Sequence, residues 1–265
     1  MTAKVSVIIP CYCCSKTIER AVVSVVNQTI RPYELILVND ASTDNTINVI
    51  MRLKSQYGGW IKIVDLQKNV GAATARNKGW SFATQPYIAF LDSDDAWHNR
   101  KIEIQYQYMI NNPDIAMSGH LFRDMSYNAI DSLNWPVELT SEKKITWSQI
   151  LVRNPFVTPS VMLKRDIPFR FFEGKRHLDD HLLWIEIIYA DLLTIKLNTD
   201  LAAVYKPMYG ASGLSSNMWL MEKAELFNYK YLYHKKKIKF YQYALLQCFS
   251  LAKFFRRLLI VHLFR

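Results

Sequence analysis

The chain has 265 residues, half of them hydrophobic, with 7 Trp, 15 Tyr and 13 Phe. That is enough for one large domain, or one domain with an appendage, around a sizeable core. The formal net charge of +10 is uneven: from Met221 to Arg265 ten Lys and Arg stand against two Asp and Glu, whereas the rest is almost neutral. A basic tail on a neutral body points to an anionic surface, either membrane or nucleic acid.

No run reaches the roughly 18 uncharged apolar residues of a spanning helix. The N-terminus does not read as a signal peptide, because Lys4 is followed by only five apolar or small residues before Pro10. Three of the four cysteines, Cys11, Cys13 and Cys14, crowd one loop at a spacing unlike a standard zinc site; the fourth is Cys248. A reduced, cytoplasmic setting is expected, with a cysteine metal site as the sharper alternative.

Val5 to Ile9 reads as a first strand ended by Pro10, and Thr17 to Asn27 as a helix with Ile18, Ala21, Val22, Val25 and Val26 on one face. Glu34 to Val38 is a second strand running into Asn39 and Asp40. Ser42-Thr43-Asp44 should open a helix reaching about Tyr57, where Gly58 and Gly59 stop it. Ile61 to Leu66 is a third strand, Ala72 to Ala83 a third helix and Ile88 to Leu91 a fourth strand. This alternation predicts an α/β protein with a parallel sheet and right-handed crossovers.

The fourth strand ends in Asp92, Asp94 and Asp95. Three carboxylates in four positions repel one another, and they fit if a hard cation such as Mg2+ or Mn2+ takes up the charge together with substrate phosphates. The bland alternative is an acidic cap on the helix that starts near Asn99. Ligands of open parallel sheets bind beyond the carboxyl ends of the strands. Asp40 and the Asp92–Asp95 cluster should therefore share one edge. Asp40 reads either as an Asx-turn residue or as a polar contact to a nucleobase or ribose. Arg76, one turn into the third helix, reads as a phosphate or base ligand, or as a surface ion pair.

After Asn112 the pattern weakens. Ala116 to His120 and Thr158 to Leu163 are expected strands, and Leu121 to Lys144 is expected to be loop. Asp179 and Asp180 precede an apolar helix, about Leu182 to Ala190, as N-caps or as something more. His177 and His181 could ligate metal, though histidines so spaced are more often structural. Trp184 reads as core rather than as a floor for a sugar. Thr194 to Leu197 and Leu201 to Tyr205 read as a hairpin, and Lys206 to Ser216 as a loop able to close over a ligand.

The tail from Leu220 reads as helical. Lys253, Arg256 and Arg257 fall on one face of a helix, with Leu251, Phe255 and Leu258 roughly opposite. A helix lying in a membrane interface is favoured, with the cations near lipid phosphates. Packing on the protein's own core or on a second subunit, as in a homodimer, is the next reading. Nucleic acid is last, for want of a recognition motif.

Five segments together resemble family 2 glycosyltransferases, which are inverting enzymes of the GT-A fold. They are Val5 to Tyr12, Ser24 to Gln28, Val38 to Asp44, Gly71 with Ala75-Arg76-Asn77, and Phe90 to Asp95. The resemblance implies a mostly parallel, Rossmann-like sheet flanked by helices; the basic amphipathic helical tail lies beyond it and rests on the residue pattern alone. Residues 1–112 would form the nucleotide-sugar half, 113–219 the acceptor half and 220–265 the tail. It implies a nucleotide-sugar donor held by Pro10, Tyr12, Asp40, Arg76, Asn77, Asp92 and Ser93. Mn2+ or Mg2+ would be held by Asp94 with Asp92 and Asp95. Counting back from Trp184, Asp180 matches the family's catalytic base and Asp179 replaces the Glu before it; a slip of one residue would make Asp179 the base. Asn39 stands where many members have Asp, and Cys13 where an Asn usually follows the Tyr.

The absence of Gly-x-Gly-x-x-Gly argues against a dinucleotide-dependent oxidoreductase. A nucleotidyltransferase and a non-catalytic membrane-recruitment module remain as rivals. The resemblance points to bacterial surface-polysaccharide (O-antigen) assembly, with transfer of Glc or Gal from UDP to a lipid-diphosphate-linked GlcNAc by a protein peripheral to the inner face of the cell membrane.

Overall fold

The computed structural model describes residues 2–125, 135–138, 141–205 and 217–263, with side chains to 259. Strands β1 (Thr2–Cys11), β2 (Arg31–Asn39), β3 (Ile61–Asp65) and β4 (Tyr87–Phe90) alternate with helices α1 (Ile18–Val26), α2 (Thr46–Tyr57) and α3 (Ala72–Phe82). Then follow β5 (Ala96–Trp97), α4 (Lys101–Asn111), β6 (Met117–Asp124), β7 (Glu142–Lys144), α5 (Trp147–Val152), β8 (Met162–Lys164), α6 (Asp179–Tyr189), β9 (Thr194–Val204), α7 (Met218–His234) and α8 (Phe240–Leu263).

One sheet runs β3-β2-β1-β4-β8-β6-β9-β5, with β7 on β9. Its first four strands are parallel, as the alternation predicts. The second half is mixed: β8 is antiparallel to β4 and β6, whereas β6 and β9 are parallel.

Side chains of a strand alternate between faces, so β1 and β2 feed two cores. Val5, Val7, Ile9, Leu35 and Leu37 pack under α1, α2 and α4. Ile8, Ile36 and Val38 pack with α3, α6 and Tyr229 and Leu232 of α7. Residues of the expected tail thus belong to the main core.

Several expectations need correcting. The expected hairpin at 194–205 is one strand, β9, whose pairing with β6 is irregular around Leu121. The parallel partner on both sides of Asn198 and Thr199 keeps the chain going forward, so the polar pair makes a bulge instead of a turn. Of the expected loop 121–144, the described ends are strand, in β6 and β7. Thr158–Ser160 is a 3-10 turn, so β8 begins only at Met162. The expected loop 206–216 lies outside the described residues.

Helix α2 starts at Thr46, not Ser42. Asp44 stands before it and accepts from Thr46 N (3.0 Å), Thr46 Oγ1 (2.6 Å) and Ser15 N (3.2 Å), which ties the cysteine loop to the β2–α2 loop. The cationic face expected of the tail is also reassigned. Lys253 pairs with Glu225 at 2.6 Å and Arg257 with Glu222 at 3.1 Å, both on α7, so two of the three cations face protein.

Gly79 lets α3 lie close on the sheet. A Cβ there would sit 2.5 Å from Ile8 Cγ2 and 3.1 Å from Val38 Cγ2. Ala would gain about 1 kcal/mol of helix propensity, against about 1–3 kcal/mol for overpacking a β-branched layer that has little room to yield. Gly79→Ala should lower the denaturant midpoint, measured by circular dichroism. An unchanged or raised midpoint would show that α3 can lift off the sheet freely.

Candidate active site

The carboxyl ends of β1, β2 and β4 meet at one edge. Asp40 N donates to Cys11 O at 2.8 Å and Leu91 N to Ile8 O at 3.1 Å, so Asp40 and Asp92 flank the end of β1, as the topology predicts. Cys13 follows with φ 46°, in the left-handed region. Asn tolerates that backbone better than most residues, which accounts for the Asn that usually stands there.

Asp40 accepts from Val70 N at 2.7 Å and Gly71 N at 2.9 Å. Its carboxylate clamps the turn that enters α3, where Gly71 has φ 84°. Asn39 donates to Asp65 Oδ1 at 2.7 Å. An Asp in its place would face a second carboxylate at that distance, which gives the substitution a local reason. Pro10 is half-buried one residue before the end of β1, which corrects its expected place as the strand's stop; Tyr12 projects exposed from the next loop, and Ser93 is half-buried. The Cys14 thiol is drawn down to about 7, chiefly by contact with Cys11, and also touches Ser93; the first loop and the acidic loop therefore meet.

Arg76 joins the two acidic motifs. Buried in α3, it donates from Nη2 to Asp92 Oδ1 at 2.7 Å and from Nη1 to Asp179 Oδ2 at 3.1 Å, over the Phe171 ring. Burial alone would lower its pKa; Asp92 and Asp179 reverse that and hold it above its ordinary value. Of the two readings left open for Arg76, the observed one is an ion pair, but a buried one between two site motifs. Asn77 does not face the edge: its amide pairs with the backbone N–H and C=O of Phe171 at 3.0 and 2.8 Å. This corrects its expected place among donor ligands, since both ends of the amide are engaged in fixing the 171 segment.

Asp179 and Asp180 open α6. Burial raises both carboxyls, with Arg76 opposing at Asp179 and the His181 N–H opposing at Asp180. Among the described residues no guanidinium lies within ion-pair distance of Asp180. It accepts from His181 N at 2.7 Å and, loosely, from Thr158 Oγ1 at 3.3 Å and Asn154 Nδ2 at 3.4 Å. His181 is a core residue bonded to Ile150 O at 2.7 Å, and Trp184 is wholly buried, as expected.

The residues that brace this pair were not singled out from the sequence. Leu178, just before it, has φ 51°, and its carbonyl accepts from Asn228 of α7 at 3.2 Å. Lys175 reaches Ala224 O at 3.3 Å; burial brings its ammonium down to about 8, against the pull of Asp179 and Asp180. Arg20 of α1 donates to the Asp94 carbonyl and lies over the Tyr205 ring at 3.5 Å. No motif marks these residues, because their partners lie far away in sequence.

The acidic loop was tested against a divalent ion. Among the described residues, no three His, Cys, Asp or Glu side chains are grouped to hold a metal by themselves. Asp95 is the correction: it is buried and accepts from Tyr205 N at 3.2 Å, which makes it a loop anchor. Asp94, with Asp92 Oδ2, offers hard oxygens at the loop's half-exposed rim. That set suits an ion that takes one or two carboxylates and completes its shell with phosphate and water.

Burial, then the charges of Asp92 and Asp94, push the Asp95 carboxyl well above its ordinary 3.8. A carboxyl raised in the fold favours folding below its unfolded pKa, and that contribution is lost as pH rises through the folded value. Asp95→Asn keeps an acceptor for Tyr205 N–H and removes the charge. In the metal-free protein it should raise the melting temperature at pH 7.5, by roughly 2–4 °C per kcal/mol relieved. The gain should vanish as pH falls toward 4. A gain that is the same at both pH values would contradict the assignment.

The family model for glycosyl transferase family 2 matches residues 6–169. Over 184 residues the chain is 32% identical to the Escherichia coli UDP-Glc:alpha-D-GlcNAc-diphosphoundecaprenol beta-1,3-glucosyltransferase WfgD, covering 69% of each chain. S. aureus TarS 1-349 in complex with UDP-GlcNAc superposes with a TM-score of 0.67 at 17% identity, over 87% of this chain and 66% of that one. The mannosyltransferase PcManGT from Pyrobaculum calidifontis, in complex with GDP-Man and Mn2+, gives 0.67 at 17% identity, over 88% and 65%. The fold is GT-A, and the chain belongs to glycosyltransferase family 2.

Proposed function

We propose that this enzyme transfers a hexose from a nucleoside-diphosphate sugar to a saccharide hydroxyl with inversion. The observation that carries the reading is the Arg76 bridge, which places a donor-side acid and the α6 acid pair on one sheet edge. UDP-Glc or UDP-Gal is the favoured donor, and lipid-diphosphate-linked GlcNAc the favoured acceptor. The E. coli relative is named for that class of substrates. We place the reaction in surface-polysaccharide (O-antigen) assembly, at the inner face of the cell membrane.

In this mechanism Asp180 is the base. Asp179 is ion-paired with Arg76, whereas among the described residues Asp180 Oδ2 meets weak neutral donors, and its burial-raised affinity suits proton capture. The acceptor oxygen attacks the anomeric carbon as its proton passes to Asp180. The bond from that carbon to the diphosphate oxygen breaks on the opposite side, and its electron pair leaves with the nucleoside diphosphate. One displacement turns an α-linked donor into a β-linked product. Asp94 and Asp92 would hold Mn2+ or Mg2+, which supplies charge stabilisation for the departing diphosphate. Asp40, Pro10, Tyr12 and Ser93 line the nucleotide side. Residues 1–112 carry the donor half and 113–219 the acceptor half.

The test is nucleoside diphosphate release from a panel of UDP- and GDP-sugars with Mn2+, with and without GlcNAc-diphosphate-lipid, for wild type and Asp180→Asn side by side. Acceptor-dependent UDP release is expected, reduced roughly 100- to 10,000-fold in the variant. The product linkage should be β by NMR. Pyrophosphate as the product would favour a nucleotidyltransferase, and no release from any donor would sink the transferase reading.

A further inference from the structure

The two sides of α8 are unlike. One closes on the protein: Leu246, Ser250 and Phe254 are buried, and Lys253 and Arg257 are paired with α7. The other carries Tyr241, Leu245, Phe249, Phe255 and Leu259, which are 57%, 67%, 46%, 59% and 63% exposed. Their spacing keeps them on one side of the helix over about 27 Å. Such a continuous apolar strip on the surface marks an interaction site.

Charge selects the occupant. From Phe227 to Arg265 the sequence has nine Lys and Arg and no Asp or Glu. Lys235, Lys236 and Lys239 are exposed at the turn where the strip begins, and Arg256 is exposed along it. A second copy of the strip would bring like charge against like. A polyanion without apolar groups would leave the Phe and Leu side chains in water. An anionic bilayer answers both features: headgroup phosphates for the cations and acyl chains for the apolar row. Among the described residues no helix is long and apolar enough to cross a membrane, so the fit is to the surface.

We propose that the Tyr241–Leu259 face of α8 docks in the headgroup layer of an anionic bilayer, with the Lys235–Lys239 turn on the lipid phosphates. This deepens the membrane-surface reading above, and it changes which cations meet the lipid: Lys253 and Arg257 stay on the protein, and the Lys235–Lys239 turn takes their place.

The test is flotation of the full chain with vesicles of phosphatidylcholine alone or mixed with phosphatidylglycerol, without donor or acceptor. Wild type should float with the mixed vesicles only. Phe249→Asp/Phe255→Asp should lower binding at least roughly tenfold at an unchanged melting temperature, and Lys235→Gln/Lys236→Gln/Lys239→Gln should abolish the preference for anionic lipid. Failure of wild type to float, or equal flotation of the Asp variant, would overturn the proposal. So would a wild-type dimer that ignores vesicles and becomes a monomer in the Asp variant; that result would assign the strip to a second copy. Because the vesicles carry no saccharide, this result is independent of nucleoside diphosphate release, and either reading can fail alone.

Discussion

A single buried guanidinium holds this site together. Arg76 has two acids within hydrogen-bond reach, Asp92 at 2.7 Å and Asp179 at 3.1 Å, which stand 87 positions apart in sequence and come from the loop after β4 and from α6. Its planar fork can serve both at once, which the point charge of a lysine matches poorly. Removing one partner from a buried ion pair costs about 3–5 kcal/mol, because the survivor is left unpaired in low dielectric. The bridge is therefore a geometric constraint: the acid pair of α6 cannot drift from the sheet edge while it holds.

The same bridge distinguishes two neighbouring aspartates. Burial raises both carboxyls, but Asp179 is ion-paired with Arg76, whereas the described donors to Asp180 are neutral. The rest of the edge is acidic, with Asp92, Asp94 and Asp95 in one turn. Asp95 is locked to Tyr205 N, and Arg20 holds the Asp94 carbonyl, so the loop is braced from both sides while it gathers three carboxyls. A cation and a polyphosphate together would complete the charge balance.

The first four strands, their helices and the shared edge were legible in the sequence because they depend on local patterns. Apolar runs stop at Pro10, Asp40 and Asp92, and helical periods lie between them. The 194–205 segment was misread because a bulge and a turn have similar polar composition; only the partner strand β6 decides between them. Helix α5 was also missed, although Thr146-x-x-Gln149 carries a capping signal, and Gln149 does reach back to Thr146 N at 3.1 Å. Asp95 and Asn77 fit a site motif by type, but their partners, Tyr205 N and the Phe171 backbone, arrive from distant segments. The orientation of α8 was unreadable for the same reason: Glu222 and Glu225 decide which way its cations face.

The C-terminal helices are more than an appendage in this arrangement. Asn228 holds the carbonyl of left-handed Leu178, and Lys175 reaches across to α7, so the helix on which α8 packs also steadies the acid pair. The measurement that tests the central role of Arg76 most directly is turnover of Arg76→Lys per folded molecule, at saturating donor and acceptor. A loss of about a hundredfold is expected, because a displacement near 1 Å is enough to spoil alignment, in protein that still melts cooperatively. Near wild-type turnover in that variant would contradict it.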